Sequence, residues 1–165
     1  MLLTNNIAII ADDLTGANDT ALQFLMRGCN TQILFDYQAV PEGKSYTQAW
    51  AISTETRNED PDYAARKVYE ITQGLLFNFN FEHVFKKIDS TLRGNIAHEC
   101  WATMKALDYD AAVIVPAFPA ENRTTIGGYQ MLKGVPVERT EFARDPQSPI
   151  FESHIPTLLR QQVKE

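Results

Sequence analysis

The stretch that decides the fold is Asn6–Gly16, N-I-A-I-I-A-D-D-L-T-G. Its first half, Asn6–Ala11, is a continuous apolar run of strand length, which is how a parallel strand buried on both faces reads. Its second half turns abruptly polar and then enters a helical pattern. Ala17, Ala21, Phe24 and Leu25 fall on one face, Thr15 or Asn18 can cap the start, and Gly28 is a natural stop. A buried strand that ends in polar groups and feeds a helix is the opening of an α/β sheet.

The same alternation continues. Thr31–Phe35 and Ala49–Ser53 read as the second and third strands, separated by a polar stretch holding Pro41 and Gly43. Asp60-Pro61 is a helix start, with an acceptor at the cap and proline in the first turn. Ala64, Val68, Ile71 and Leu75 follow at helical spacing. Val84–Ile88 is a fourth strand. Gly94-Asn95 punctuates the chain, and Ile96, Cys100, Met104 and Leu107 mark the next helix face. Ala111–Val115 reads as a fifth buried strand, closed by Pro116. Beyond it Ile126–Lys133 and Val135–Arg139 flank Gly134 as a hairpin, Asp145–Pro149 is loop, and Ile155–Val163 is a terminal helix. The order predicts a three-layer α/β fold, its sheet mostly parallel with helices on both faces, plus a C-terminal hairpin-like extension.

Composition narrows the function. The 165 residues carry a net charge of -6, with 44% hydrophobic and 22% charged residues, the profile of one globular domain. An acidic balance argues against a general nucleic-acid binder, which needs a basic stripe. It leaves room for a locally positive pocket. Two cysteines, Cys29 and Cys100, make no disulfide framework and suggest a reducing, cytoplasmic setting. No apolar run approaches bilayer length, and Met1–Asn6 lacks a basic leader, so neither a membrane anchor nor a signal peptide is expected. His83, His98 and His154 are scattered, and no metal-ligand spacing exists. Neither standard nucleotide loop is present, and no G-x-S-x-G elbow exists.

In open α/β sheets ligands sit beyond the carboxyl ends of the strands. The residues just past each strand are Asp12-Asp13, Thr54–Arg57, Asp89–Gly94 after Lys86-Lys87, and Pro116–Arg123. Polar and charged groups gather there every time. Taken singly, Asp12-Asp13 can be a helix cap, Lys87, Asp89 and Arg93 a loop ion-pair cluster, Arg57 a surface arginine, and Asn122-Arg123 the end of a turn. Taken together, Arg57, Lys87, Arg93 and Arg123 supply positive charge to a carboxylate or phosphate. Asp13 and Asp89 accept from hydroxyls or act as a base, and Ser90, Thr91 and Asn122 add neutral hydrogen bonds. Helix N-termini after Gly16 and Gly94 add backbone donors. Such a pocket fits a small polyhydroxy acid.

IADDLTGANDTA at Ile10–Ala21 resembles the opening motif of the four-carbon acid sugar kinase family. KKIDSTLRGNI at Lys86–Ile96, VPAFPAENRTTIGGYQMLKGVPV at Val115–Val137 and TEFARDPQSPIFES at Thr140–Ser153 resemble its next three, in order. The resemblance implies a bacterial ATP-dependent kinase acting on the terminal hydroxyl of threonate, erythronate or 3-oxo-tetronate. That family has an N-terminal sugar-acid domain and a C-terminal nucleotide domain. Residues 1–165 match the first alone, so the expectation is a single sugar-acid-binding domain with the nucleotide-binding domain absent, inactive by itself. By the same resemblance Asp12 and Asp13 stand at the heart of the site. Arg57, Lys87, Asp89, Ser90 and Arg93 grip the acid, Asn122 and Arg123 close the pocket, and Asp13 or Asp89 is the catalytic carboxylate. No cofactor or metal is expected in this chain; ATP and Mg2+ belong to the full-length family. The partners implied are the sugar acid, the nucleotide domain in cis or trans, and a second copy of the chain. The competing class is a non-catalytic module that senses a sugar acid. A phospho-receiver fails, because its acceptor and lysine positions hold Ser53-Thr54-Glu55 and Pro116-Ala117. A D-x-D-x-T phosphatase fails because Leu14 or Thr15 stands where its second aspartate belongs.

Overall fold

The computed structural model describes residues 7–36, 46–78 and 81–163. Asn6 and the Pro41/Gly43 stretch lie outside these residues. Strand β1 (Ile7–Ala11) is central and pairs in parallel with β3 (Ala49–Ser53) and β4 (His83–Lys87), while β2 (Thr31–Leu34) pairs in parallel with β3. The order across the sheet is β2-β3-β1-β4.

Side-chain alternation explains why β1 is apolar throughout. Ile9 and Ala11 point to one face, where they pack with Ala49 and Ala51 against Ala17 and Ala21 of helix α1 (Leu14–Leu25). Ile10 points to the other face and packs with Trp50 and Ile52 against Ile71 and Leu75 of helix α2 (Pro61–Asn78). Each such fully buried aliphatic side chain stabilises the fold by about 1.5–3 kcal/mol. Helix α3 (Ile96–Leu107) packs beside α2. Helices therefore cover both faces, as the sequence predicts.

Local chemistry sets the helix ends. Asp60 accepts from the Asp62 and Tyr63 amides at 3.0 and 3.2 Å, so the Asp60-Pro61 start is realised. The cap of α1 is Asp13 rather than Thr15 or Asn18: its extended backbone lets Oδ1 accept from the Gly16 amide at 2.7 Å, which starts the helix at Leu14.

Two expectations fail in the same place. Ala111–Val115 forms no strand; Val113 is 93% and Val115 68% exposed. On α3, Cys100, Met104 and Leu107 are half-buried, and the buried face is Ile96, Ala97, Glu99, Ala102, Thr103 and Ala106. Both segments face a cleft beside β4, which among the described residues pairs with β1 alone. With no neighbouring strand among the described residues, Val113 and Val115 stay exposed, while Ile114 and Cys100 pack only at the margin of the buried cluster around Leu92 and Val137.

The extension is richer than one hairpin. β5 (Arg123–Ile126) pairs antiparallel with β6 (Tyr129–Leu132) around Gly127-Gly128, both with positive φ, and β6 pairs with β7 (Val135–Pro136). Helix α4 (Ile155–Gln162) closes the chain. Leu92, Ile96, Val137, Ile150, Ile155 and Leu158 form a third core that fixes the extension to the loop after β4 and to α3.

Candidate functional site

Register puts the carboxyl ends of three strands at one rim. Ala11 stands opposite Ser53 on one side and Lys87 on the other, so Asp12, Thr54 and Ile88 leave the sheet at the same level. The chain after β3 then folds back over β1. The amides of Thr56 and Arg57 donate to the Asp12 carbonyl at 2.9 and 3.3 Å. That return brings the Arg57 guanidinium onto three carboxylates. Nε and Nη2 fork onto Asp12 at 2.7 and 2.9 Å, Nη1 reaches Asp13 Oδ2 at 2.5 Å, and Nη2 lies 3.9 Å from Asp89. Burial alone would lower the Arg57 pKa, but the Asp12 bonds and the surrounding carboxylates raise it, so the guanidinium stays charged.

Asp89 is the second node. Its carboxylate accepts from Arg93 Nε at 2.9 Å and Nη2 at 3.2 Å, from the Thr91 and Arg93 amides, and in a very short bond from the Thr91 hydroxyl. Burial pushes Asp89 upward, and the Arg93 fork and Thr91 more than offset this, holding it well below the ordinary carboxylate range. Arg93 also donates to Asp145 Oδ2 at 3.2 Å and stacks over Phe142, 5.1 Å from the ring centre. The intervening loop carries Leu92 at φ +68, a left-handed conformation held by its burial in the third core.

Two cations remain uncommitted. Lys87 points to the α1 side, against Gly16, and donates only to the Ile88 carbonyl at 2.6 Å. Burial lowers its pKa. Arg123 donates from Nη1 to Ser90 Oγ at 2.5 Å, and its Nε is buried with no partner. Among the described residues neither lies within ion-pair distance of a carboxylate. Asp13, Lys87, Asp89, Ser90, Arg93 and Arg123 share the wall of one cleft of about 1340 Å³.

The structure separates the remaining sequence candidates. Asp12 lies behind Arg57, outside the cleft wall, and its carboxylate is spent on the Arg57 fork. Asn122 is not brought in: it is exposed and ends a turn at φ +54. Lys86, one residue from Lys87, points to the opposite sheet face and pairs with buried Glu99 at 2.6 Å. Glu99 also accepts from Thr56 at 2.7 Å. Two contributors were invisible to strand-end reasoning. Asp145 comes from the extension, 52 residues from Arg93. Fully buried Gln130, on β6, donates to the Ser90 carbonyl at 2.7 Å and so positions the loop on which Ser90 sits. No group of three or more His, Cys, Asp and Glu among the described residues is arranged to hold a metal ion. No helix among them is long and apolar enough to cross a membrane.

The rim of this parallel α/β domain thus gathers free cations, paired carboxylates and a hydroxyl beyond the carboxyl ends of its strands. The family model that matches, over residues 7–165, is the sugar-binding N-terminal domain, and the chain belongs to that family. It is 40% identical to a D-threonate kinase of Salmonella typhimurium over 93% of this chain and 36% of that protein. It is 37% identical to a D-erythronate kinase of Heliobacterium modesticaldum over 97% of this chain and 37% of that protein. Among solved structures it superposes with a TM-score of 0.88 and 39% identity on a domain of unknown function from Bordetella bronchiseptica, a domain-swapped dimer with bound citrate; the match covers 93% of this chain and 39% of that one. The chain thus spans under two fifths of the length of these relatives.

Proposed function

We propose that this chain is the sugar-acid-binding domain of a kinase for a four-carbon sugar acid such as threonate or erythronate. The observation that carries the reading is the pair of uncommitted cations, Lys87 and Arg123, lining the same cleft as the Asp13 and Asp89 carboxylates. The substrate carboxylate takes the Lys87 ammonium and the orphan Arg123 Nε–H. Its hydroxyls donate to the carboxylates opposite. The relatives' names support a four-carbon sugar acid, and the citrate bound to the Bordetella domain supports a small hydroxylated carboxylate as the ligand class.

Within that reading the two candidate catalytic carboxylates differ. Asp89 is saturated by donors and holds its proton poorly, so it serves to fix Arg93 and the Asp89–Gly94 loop. Asp13 presents a more accessible carboxylate to the cleft, with one oxygen on the Gly16 amide and the other on Arg57. It is the residue we assign to orienting the attacking hydroxyl. The nucleotide, which supplies the phosphoryl group, and its Mg2+ would be held by residues outside this chain. The chain alone binds the acid, is inactive, and works with a nucleotide domain in a cytoplasmic enzyme, with self-association as in the Bordetella dimer.

Calorimetry on the purified chain tests this. D-threonate and D-erythronate, presented separately, should bind, and ATP should not. Absence of heat with both acids, or ATP binding tighter than either, overturns the reading.

A further inference from the structure

The cleft beside β4 extends well past the charged rim. Its floor and roof are the two helix layers: Leu22, Gln23 and Phe24 of α1 on one side, Cys100, Met104 and Leu107 of α3 on the other. One end wall is the free edge of β4, the other the extended run Ala111–Val115. Those are the four boundaries of a missing sheet strand. Three anomalies share this location. Ala111–Val115 has the composition of a buried strand and is exposed at every position but Ile114. Cys100, Met104 and Leu107 have the spacing of a buried helix face and are half-buried. Phe85 sits exposed on β4.

The geometry points to this slot as the receptor for one apolar β-strand, parallel to β4, that pairs with β4 on one side and Ala111–Val115 on the other. The occupant is the segment that follows the α4-equivalent region in a longer chain of this family. Two facts select it. The relatives run on for more than three fifths of their length outside this match, which is to an N-terminal domain. And α4 packs beside α3, whose Cys100, Met104 and Leu107 line the slot. Helix crossovers in this sheet pass over one position: α1 carries the chain from β1 past β3 to β2, and α2 carries it from β3 past β1 to β4. By the same step α3 carries it from β4 past the slot to Ala111–Val115. A later strand, after α4, takes the place passed over, as β3 takes the one between β1 and β2. Two apolar faces are required of it, because both helix layers cover it.

The test uses Cys100 as reporter, with Cys29→Ser removing the other thiol. The probe is a synthetic peptide of the ~20 residues directly after the matched region of the Salmonella typhimurium D-threonate kinase, room for one connection and one strand. A scrambled peptide is the control. A second arm fuses the same segment to Glu165. Occupancy should slow N-ethylmaleimide labelling of Cys100 at least ~10-fold and protect β4 amides from hydrogen exchange. Val113→Asp should be silent in the 165-residue chain, where the side chain is in water, and should abolish protection in both arms. Unchanged Cys100 labelling and β4 exchange in the fused arm overturns the proposal. So does protection that appears without peptide and rises with protein concentration, which would make a second copy the occupant.

Discussion

Removing the Arg57 guanidinium should destabilise the fold before it touches ligand binding. In Arg57→Met the Asp12 carboxylate, whose side chain is 5% exposed, loses both bonds of its fork while staying inside the protein. Asp13 loses its 2.5 Å partner, and Asp89 loses a neighbouring positive charge. Arg57 itself is only 13% exposed, so solvent screening gives little relief. Breaking a buried pair from one side costs about 3–5 kcal/mol. In a domain of this size each kcal/mol shifts Tm by about 2–4 °C, so a drop of roughly 6–20 °C follows. Adding Asp12→Asn to Arg57→Met removes the stranded charge and should recover about 0.5–3 kcal/mol. Thermal denaturation followed by circular dichroism reads all three proteins. A Tm within about 1 °C of the parent in Arg57→Met, or a double variant no more stable than the single, would show that Arg57 is not the organiser of the rim.

Three further outcomes follow from the same geometry. Arg123→Gln should weaken binding of D-threonate about 10- to 100-fold, the range for one charge-assisted hydrogen bond, with Tm little changed; an unaltered Kd in calorimetry removes Arg123 from the site. Asp89 has a folded pKa below its unfolded value of about 3.9, so the stability it contributes is fully present above that pH and declines as pH falls below it. Urea titrations across pH 2–5 should therefore show a slope shallower by up to ~1.4 kcal/mol per pH unit in Asp89→Asn, and equal slopes would contradict the assignment. Gly94 sits at φ +87, and a Cβ there would lie 3.1 Å from both Arg57 Cγ and its carbonyl. Gly94→Ala should cost at least about 1–2 kcal/mol through strain and a displaced Arg57, and a loss under about 0.5 kcal/mol in chemical denaturation would show that the loop relaxes freely.

Much of the fold was legible because burial on two faces leaves a one-dimensional trace. Ile7–Ala11 and Ala49–Ser53 are continuous apolar runs since helices cover both sides of the sheet. Ala64, Val68, Ile71 and Leu75 repeat at helical spacing since α2 has one wet face. Ala111–Val115 misled for the opposite reason: its composition fits a sheet position that no neighbour among the described residues completes. The strand-end rule located Asp13, Arg57, Lys87, Asp89, Ser90 and Arg93 because parallel register delivers them to one rim, whereas Arg123, expected after a fifth strand that does not form, reaches the cleft from β5 of the extension. It did not show which charges cancel. That Asp12 is spent on Arg57 while Lys87 keeps its charge uncommitted depends on angles and parity across strands. Asp145 and Gln130 arrive from the extension, whose docking rests on the third core and has no local signature.

The most direct measurement is a crystal structure of the chain with D-threonate bound. The substrate carboxylate should bridge Lys87 Nζ and Arg123 Nε, its hydroxyls should reach Asp13, and the Arg57–Asp12 fork should stay closed. An acid seated away from Arg123, or one that draws Arg57 off Asp12, contradicts the assignment.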